Sequence, residues 1–133
     1  MKKMLSIMLA GVLMLAVSGC RAEPQHKVSY VSGEKLTVLE QYDCVAVYTQ
    51  YTNDSSETAV PADEVSVKAF QNGVELSPLV PTGDRTNGYV QCDSNVQSGT
   101  TVDVVWLFEL DDDSTVSVEL SGGEKVEIPL AEE

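Results

Sequence analysis

Alternation of apolar and polar positions constrains this chain more than any other feature of its sequence. It is clearest in Thr101–Leu110 (TVDVVWLFEL), where every second residue is apolar and Asp103 and Glu109 lie between apolar positions. The apolar positions of this face are Val102, Val104, Trp106, Phe108 and Leu110. Because successive side chains of a strand point to opposite faces, this period of two predicts a β-strand with one buried face.

The same period recurs along most of the chain from Val28 onward. Cys44–Asn53 (CVAVYTQYTN) is rich in the β-branched and aromatic residues that favour strands, with Val45, Val47 and Tyr51 on one face. Shorter runs of the same kind begin near Leu36, Val65, Gly88, Val116 and Val126. We therefore expect a succession of short strands.

Turn residues separate these runs. Asn72-Gly73 lies between two of them and predicts a hairpin, because a type I′ turn needs positive φ at both central residues. Pro78 has no N–H to donate, so the strand that follows the hairpin should end there or lie at a sheet edge. With no amphipathic helical window after Cys20, the pattern predicts an all-β fold, an antiparallel sandwich of about seven or eight strands.

The first twenty residues have a different character. Lys2 and Lys3 precede an apolar run, Met4–Val17, that ends in small residues and a cysteine, which predicts a helical export signal. The apolar run is too short for a comfortable membrane-spanning helix. Its end, Val17-Ser18-Gly19-Cys20, resembles the lipobox of bacterial lipoproteins, and this resemblance implies a diacylglyceryl group on the Cys20 thiol.

These assignments divide the chain into three parts. Residues 1–19 are predicted to be a lipoprotein signal peptide, residues 20–27 the lipidated cysteine and a short linker, and residues 28–133 the sandwich domain. The predicted location is the extracytoplasmic face of the cell membrane, where two acyl chains on Cys20 would anchor the domain stably.

The charge of the chain excludes one class of partner. The sequence has 8 basic and 21 acidic residues, a net charge of −13, and removal of Lys2 and Lys3 with the signal would leave 6 − 21 = −15. Nucleic-acid binding depends on Lys and Arg that neutralise phosphates, so we expect no nucleic-acid partner.

The cysteine count suggests a disulfide. With Cys20 lipidated, Cys44 and Cys92 form an even pair in a compartment where disulfides persist. The chain-entropy model assigns closure of such a loop about 4 kcal/mol. The alternative is two buried free thiols, which pack as small hydrophobic side chains.

Metal binding and catalysis have few candidate residues. Asp111, Asp112 and Asp113 occupy one turn and could supply oxygen ligands to calcium, although adjacent aspartates are also common in solvated turns. His26 is the single histidine of the chain and falls in the predicted linker, away from any serine or cysteine nucleophile. We therefore expect neither an enzyme nor a bound cofactor.

Two further segments carry a family resemblance. Tyr51-Thr52-Asn53 and the run Phe70–Leu76 (FQNGVEL) resemble the DUF5067 domain family, which is similar to the DUF4352 domains. The resemblance implies a small exported bacterial domain, often a lipoprotein, with an immunoglobulin-like β-sandwich, and it implies no activity. This sequence departs from the family at Ser98, where proline often precedes the glycine that corresponds to Gly99.

The functional expectation is a membrane-anchored, non-catalytic interaction module that binds a neighbouring envelope protein through a sheet face or edge. The alternative is an extracytoplasmic domain that binds a small ligand or calcium. A deep pocket with converging polar groups would favour the alternative, and an exposed apolar patch on a filled core would favour the interaction module.

Overall fold

The computed structural model describes residues 25–38, 40–79 and 88–130. The predicted signal peptide and Cys20 lie outside these residues. Nine strands and one short helix, α1 (Pro61–Glu64), are found in the described part of the chain. The strands are β1 (His26–Val38), β2 (Tyr42–Asn53), β3 (Val67–Gln71), β4 (Val74–Glu75), β5 (Pro78–Leu79), β6 (Val90–Gln91), β7 (Thr100–Glu109), β8 (Val116–Leu120) and β9 (Lys125–Ile128).

The strands form two sheets packed face to face, which confirms the predicted sandwich. The first sheet has the order β1-β2-β7-β5, and β6 pairs with β7 in parallel. The second sheet has the order β4-β3-β8-β9, and all its pairs are antiparallel. Three of the nine strands, β4, β5 and β6, are only two residues long, which is why the described count exceeds the seven or eight expected.

The main core lies between the two sheets and contains the face predicted from the alternation. Val45, Val47 and Tyr51 of β2 are fully buried there, beside Trp106 and Phe108 of β7. From the second sheet come Val67, Ala69, Val116, Val118 and Leu120. The Trp106 indole N–H donates to Thr49 Oγ1 at 2.9 Å, and the Thr49 hydroxyl donates to the Val104 carbonyl at 3.0 Å, so the polar atoms of this core are paired.

The middle of the opposite face of the first sheet is also buried, which the sequence did not indicate. Cys44, Ala46, Tyr48, Val105 and Leu107 form this outer cluster, with Leu36, Leu79 and Tyr89 packed against it. The central strands β2 and β7 are therefore buried on both faces along part of their length.

The turns follow the predicted chemistry. Asn72 and Gly73 have φ values of 54° and 81°, as a two-residue hairpin requires, and they join β3 to β4. At Pro78 the chain leaves the second sheet and begins β5 in the first, where Ser77 O accepts a hydrogen bond from Glu109 N at 2.9 Å. The expected strand end at Pro78 is thus also a change of sheet.

Two local features differ from expectation. β1 begins at His26, inside the predicted linker, and α1 forms although no helix was expected after Cys20. β1 also has an irregular register between Tyr30 and Ser32, at the half-exposed Val31. No helix in the described part of the chain is long and apolar enough to cross a membrane.

Candidate functional site

The predicted lipidation site, Cys20, lies outside the described residues. β1 starts at His26, shortly after Cys20 in the sequence, and its first residue pairs with Asn53 at the end of β2. We call this end of the sandwich the tether end. The opposite end, with the turns at residues 72–73 and 111–114, is called the tip.

The expected bridge between Cys44 and Cys92 is not formed in the structure, where both thiols are free and buried. Cys44 belongs to the outer cluster and Cys92 to the main core, so the two side chains lie on opposite faces of the first sheet. Burial first, and then the neighbouring Asp43 and Asp93 carboxylates, together raise the pKa of the Cys44 and Cys92 thiols to about 11. Both groups are therefore protonated at neutral pH.

The aspartate turn at the tip is organised by hydrogen bonds within the protein. Asp112 accepts from the Ser114 amide at 2.9 Å, from the Ser114 hydroxyl, and from the Asn72 side-chain amide at 3.1 Å. These bonds, first of all those from Ser114, lower the pKa of Asp112. Asp113 instead pairs with Lys35 at 2.8 Å.

These contacts argue against the calcium hypothesis for Asp111, Asp112 and Asp113. Calcium needs several oxygens that converge on one point, whereas Asp112 and Asp113 are directed to different protein partners. Among residues 25–38, 40–79 and 88–130, no three His, Cys, Asp or Glu side chains are grouped so that they could hold a metal ion. The turn is better explained by local Asx chemistry.

Gln71, which directly precedes the Asn72-Gly73 turn, is buried beneath the aspartate turn with 1 % of its surface exposed. Its Nε2 donates to the carbonyls of Asp112 and Ser114, at 3.0 and 2.8 Å. Its Oε1 accepts from the amides of Asp111 and Asp112, at 2.9 and 3.3 Å. One side chain thus satisfies four backbone groups of the turn.

Asn53 has a similar position at the tether end. It is fully buried, and its Nδ2 donates to the carbonyls of Glu57 and Val96, each at 2.9 Å. Its Oδ1 accepts from the amide of Ser55 at 3.0 Å. Asn53 and Gln71 both lie in the segments that carry the family resemblance, and the hydrogen bonds of both side chains hold loops.

His26 makes a chain of contacts that its predicted place in a linker did not suggest. Its Nδ1 lies 2.7 Å from the hydroxyl of the buried Tyr51, and its Nε2 lies 3.3 Å from a carboxylate oxygen of Glu64 on α1. Burial raises the pKa of Tyr51, and the Glu64 carboxylate raises it further. This arrangement satisfies a buried hydroxyl and fastens the start of β1 to α1.

An apolar cavity of about 360 Å³ opens on the side of the sandwich where β4 ends. We call it the side cavity. Its buried lining consists of Val65, Val67, Cys92, Trp106, Leu107 and Phe108. Its more exposed rim consists of Ala62, Ser66, Lys68, Glu75, Pro78 and Leu79. The volume lies in the range of small binding pockets, about 300–1,000 Å³.

A second depression, of about 570 Å³, lies beside β6. Much of its wall is polar, with Ser94, Asn95 and Gln97 from the loop between β6 and β7. It lacks the aromatic lining of the side cavity. The side cavity is therefore the better candidate for a site that buries an apolar group.

Comparison with known proteins places the chain in a family of unassigned function. The model of a family described as "Domain of unknown function (DUF5067)" matches residues 23–122. No curated protein matches the chain. Among solved structures, one described as "a putative lipoprotein from Staphylococcus aureus subsp. aureus NCTC 8325" has a similar fold, with a TM-score of 0.61 and 8 % sequence identity over 81 % of this chain and 86 % of that one.

Proposed function

The chain belongs to the DUF5067 family, and from this premise we propose that it is a lipid-anchored, extracytoplasmic, non-catalytic domain that binds another protein of the cell envelope. The sequence Val17-Ser18-Gly19-Cys20 supports the lipid anchor. The description of the Staphylococcus aureus protein as a putative lipoprotein agrees with it, although at 8 % identity the likeness extends only to the fold.

The observation that carries the proposed binding role is the side cavity. It joins an apolar interior, with Trp106 at 6 % and Phe108 at 3 % exposure, to a rim of exposed polar and charged residues. Interaction surfaces commonly combine such an apolar centre with a polar rim. A partner that filled the cavity would remove the exposed parts of these aromatic side chains from water.

The contacts of the potential reactive groups support a non-catalytic role. His26 is engaged by Tyr51 and Glu64, and neither partner is a serine or cysteine nucleophile. The thiols of Cys44 and Cys92 are buried, and their raised pKa disfavours the thiolate that acts as a nucleophile. These groups are used to stabilise the fold.

The anchor determines which parts of the domain partners can reach. Residues 21–25 separate Cys20 from β1 and span at most about 18 Å when fully extended. The tether end therefore faces the membrane, and the tip points away from it. The side cavity, between these two ends, is directed toward proteins that share the same membrane surface.

The proposal is tested by photocrosslinking in the organism's own membranes. A photoreactive amino acid replaces Lys68 at the rim of the side cavity in one variant and Lys125 in a matched control. Both lysines are exposed, and both lie opposite Glu119 in the second sheet, one on β3 and the other on β9. We expect the Lys68 variant to give one dominant crosslinked protein and the control to give little of it.

Absence of any crosslinked protein above background from either position would overturn the interaction proposal. The small-ligand alternative would then gain support, because the volume of the side cavity also suits a small apolar molecule.

A further inference from the structure

The side cavity lies beside a stretch of β3 that, in the described part of the chain, has a neighbouring strand on one side only. The amide of Leu76 donates to the carbonyl of Ala69 at 2.8 Å, so Ala69 faces β4, whereas the carbonyl of Ser66 accepts from Ser121 and faces β8. Because hydrogen-bonding groups alternate along an antiparallel strand, the N–H and C=O of Val67 face the same side as those of Ala69. That side is where β4 has ended.

Pro78 explains why β4 does not cover Val67. In the hairpin register Phe70 pairs with Glu75 and Gln71 with Val74, so continuation of the hairpin would place Pro78 opposite Val67. Proline has no N–H to donate, and Pro78 instead pairs with Phe108 in the other sheet. Among the described residues, no strand therefore pairs with this edge of β3 at Val67, directly beside the cavity.

The geometry of an added strand relates this edge to the cavity. In an antiparallel pair, residues directly opposite each other have side chains on the same face of the sheet. The Val67 side chain points inward and lines the cavity. A residue that paired with Val67 would therefore direct its own side chain into the cavity.

The charges around the rim favour a basic partner. Glu75 is on the rim, and the exposed Asp63 and Asp93 directly follow the lining residues Ala62 and Cys92. Lys68 is the basic residue of the rim, and the chain as a whole has a net charge of −13. Such a field attracts cationic segments and disfavours fatty acids and other anions.

We propose that the side cavity binds an extended, basic polypeptide segment by strand addition to β3, with one large apolar side chain inserted between Trp106 and Val67. This inference deepens the proposed function by naming the partner chemistry, and it rests on that function. The pairing uses the N–H and C=O of Val67. Lys or Arg residues of the segment lie against the carboxylates of the rim.

The test uses the mature lipidated chain in neutral phosphatidylcholine nanodiscs. The probe is the acetylated, amidated pentapeptide Lys-Thr-Phe-Thr-Lys, compared with versions that carry Ala in place of Phe or Glu in place of both Lys residues. Trp106 is the single tryptophan of the chain, so its emission reports directly on the cavity. Alkylation of each thiol, read by peptide mass spectrometry, is the second readout, with Cys92 in the cavity and Cys44 as internal control.

We expect the Phe peptide to bind saturably, to shift Trp106 emission to shorter wavelength, and to slow alkylation of Cys92 without slowing that of Cys44. Replacement of Phe by Ala should weaken binding by about tenfold or more, since it removes the buried apolar group. N-methylation of the Phe amide, which removes the donor to the Val67 carbonyl, should weaken binding by about tenfold.

A rim variant supplies the complementary control. Ala62→Phe fills the mouth of the cavity from an exposed position on α1 and should abolish binding. Ser29→Phe, at an exposed position on β1, should bind the peptide like the parent chain. Thermal melting of both variants checks that the fold is retained.

Equal binding of the Phe and Ala peptides, unchanged binding by Ala62→Phe, or no saturable signal would overturn the inference. Saturable binding of a small apolar molecule such as indole, without saturable binding of the Phe peptide, would identify a small-ligand pocket and would also overturn the inference. The membrane crosslinking experiment detects any partner that approaches Lys68 or Lys125, whether or not that partner pairs with β3. The peptide assay can therefore fail while the broader interaction proposal stands.

Discussion

Gly33 of β1 shows how a single atom limits the sequence at one position of the core. A Cβ added at Gly33 would lie 2.4 Å from Cδ1 of Ile128, which is 4 % exposed at the end of β9. The backbone of Gly33 is in the extended strand β1, so the constraint is the space between the sheets. Glycine here permits close packing of β1 against β9.

We therefore predict that Gly33→Ala lowers the free energy of unfolding by about 1–2 kcal/mol, the usual cost of overpacking a core. Urea denaturation followed by Trp106 fluorescence measures it. Ile128→Val removes Cδ1, so the double variant should lose less stability than the sum of the two single variants. Simple additivity would show that the Cβ is accommodated elsewhere.

Alkylation of Cys44 and Cys92 distinguishes two free thiols from a disulfide. Without reductant, the denatured chain should take up one alkyl group at Cys44 and one at Cys92, while the native chain should react slowly because both thiols are buried and protonated. Peptide mass spectrometry counts the alkyl groups on each cysteine. Finding both peptides joined and unalkylated would establish the bridge.

The same thiols contribute to pH dependence. Their pKa is raised from 9.0 in the unfolded reference to about 11 in the fold, so the protein favours the neutral thiol. This contribution is fully present below pH 9 and is lost as the pH rises toward 11. The unfolding free energy should fall across this interval, and by less in Cys44→Ala. An equal fall in that variant would contradict the assignment.

At the scale of elements, each end of the sandwich is held by one buried amide side chain. Gln71 at the end of β3 bonds to four backbone groups of the β7–β8 turn, and Asn53 at the end of β2 bonds to the loop that follows it. Such side chains fix loops that have little apolar surface of their own to bury.

We predict that Gln71→Ala lowers the free energy of unfolding by about 2–3 kcal/mol, because it leaves backbone groups of the turn without partners. Gln71→Glu should be nearly as harmful, since a carboxylate cannot donate to the carbonyls of Asp112 and Ser114. Denaturant unfolding measures both variants. Lys68→Ala, on the exposed face of the same strand, should change stability by less than about 0.5 kcal/mol.

These elements also show what local sequence can predict. The Asn72-Gly73 hairpin and the inward face of β7 were predicted correctly, because each depends on residues within a few positions of one another. The burial of Gln71 was not predicted, because its partners lie about 40 residues away along the chain. The outer cluster was missed because burial of a second sheet face depends on what covers it.

The side cavity could not be predicted for a related reason. Pro78 correctly indicated that a strand ends. The cavity, however, forms because the chain then crosses from the second sheet to the first, where Pro78 pairs with Phe108. α1, β4, β5 and the segment after β6 each supply part of its wall. Neither composition nor periodicity records such an arrangement.

At the scale of the whole molecule, attachment to the membrane should depend on one residue. We predict that Cys20→Ala yields an uncleaved, unlipidated precursor. Metabolic labelling with a radioactive fatty acid, followed by electrophoresis, measures this. Incorporation of label into the variant would show that the anchor is elsewhere, and Cys44→Ala, which keeps Cys20, should be labelled like the parent chain.

The start of β1, so soon after Cys20, has a consequence for how strong binding must be. A domain held by a linker of at most about 18 Å moves within a thin layer next to the membrane. A partner fixed to the same membrane therefore encounters it by diffusion in two dimensions instead of three. Short tethers of this kind produce local concentrations in the millimolar range. A cavity that holds one side chain can then be occupied for much of the time with an affinity that would be negligible for two proteins free in solution.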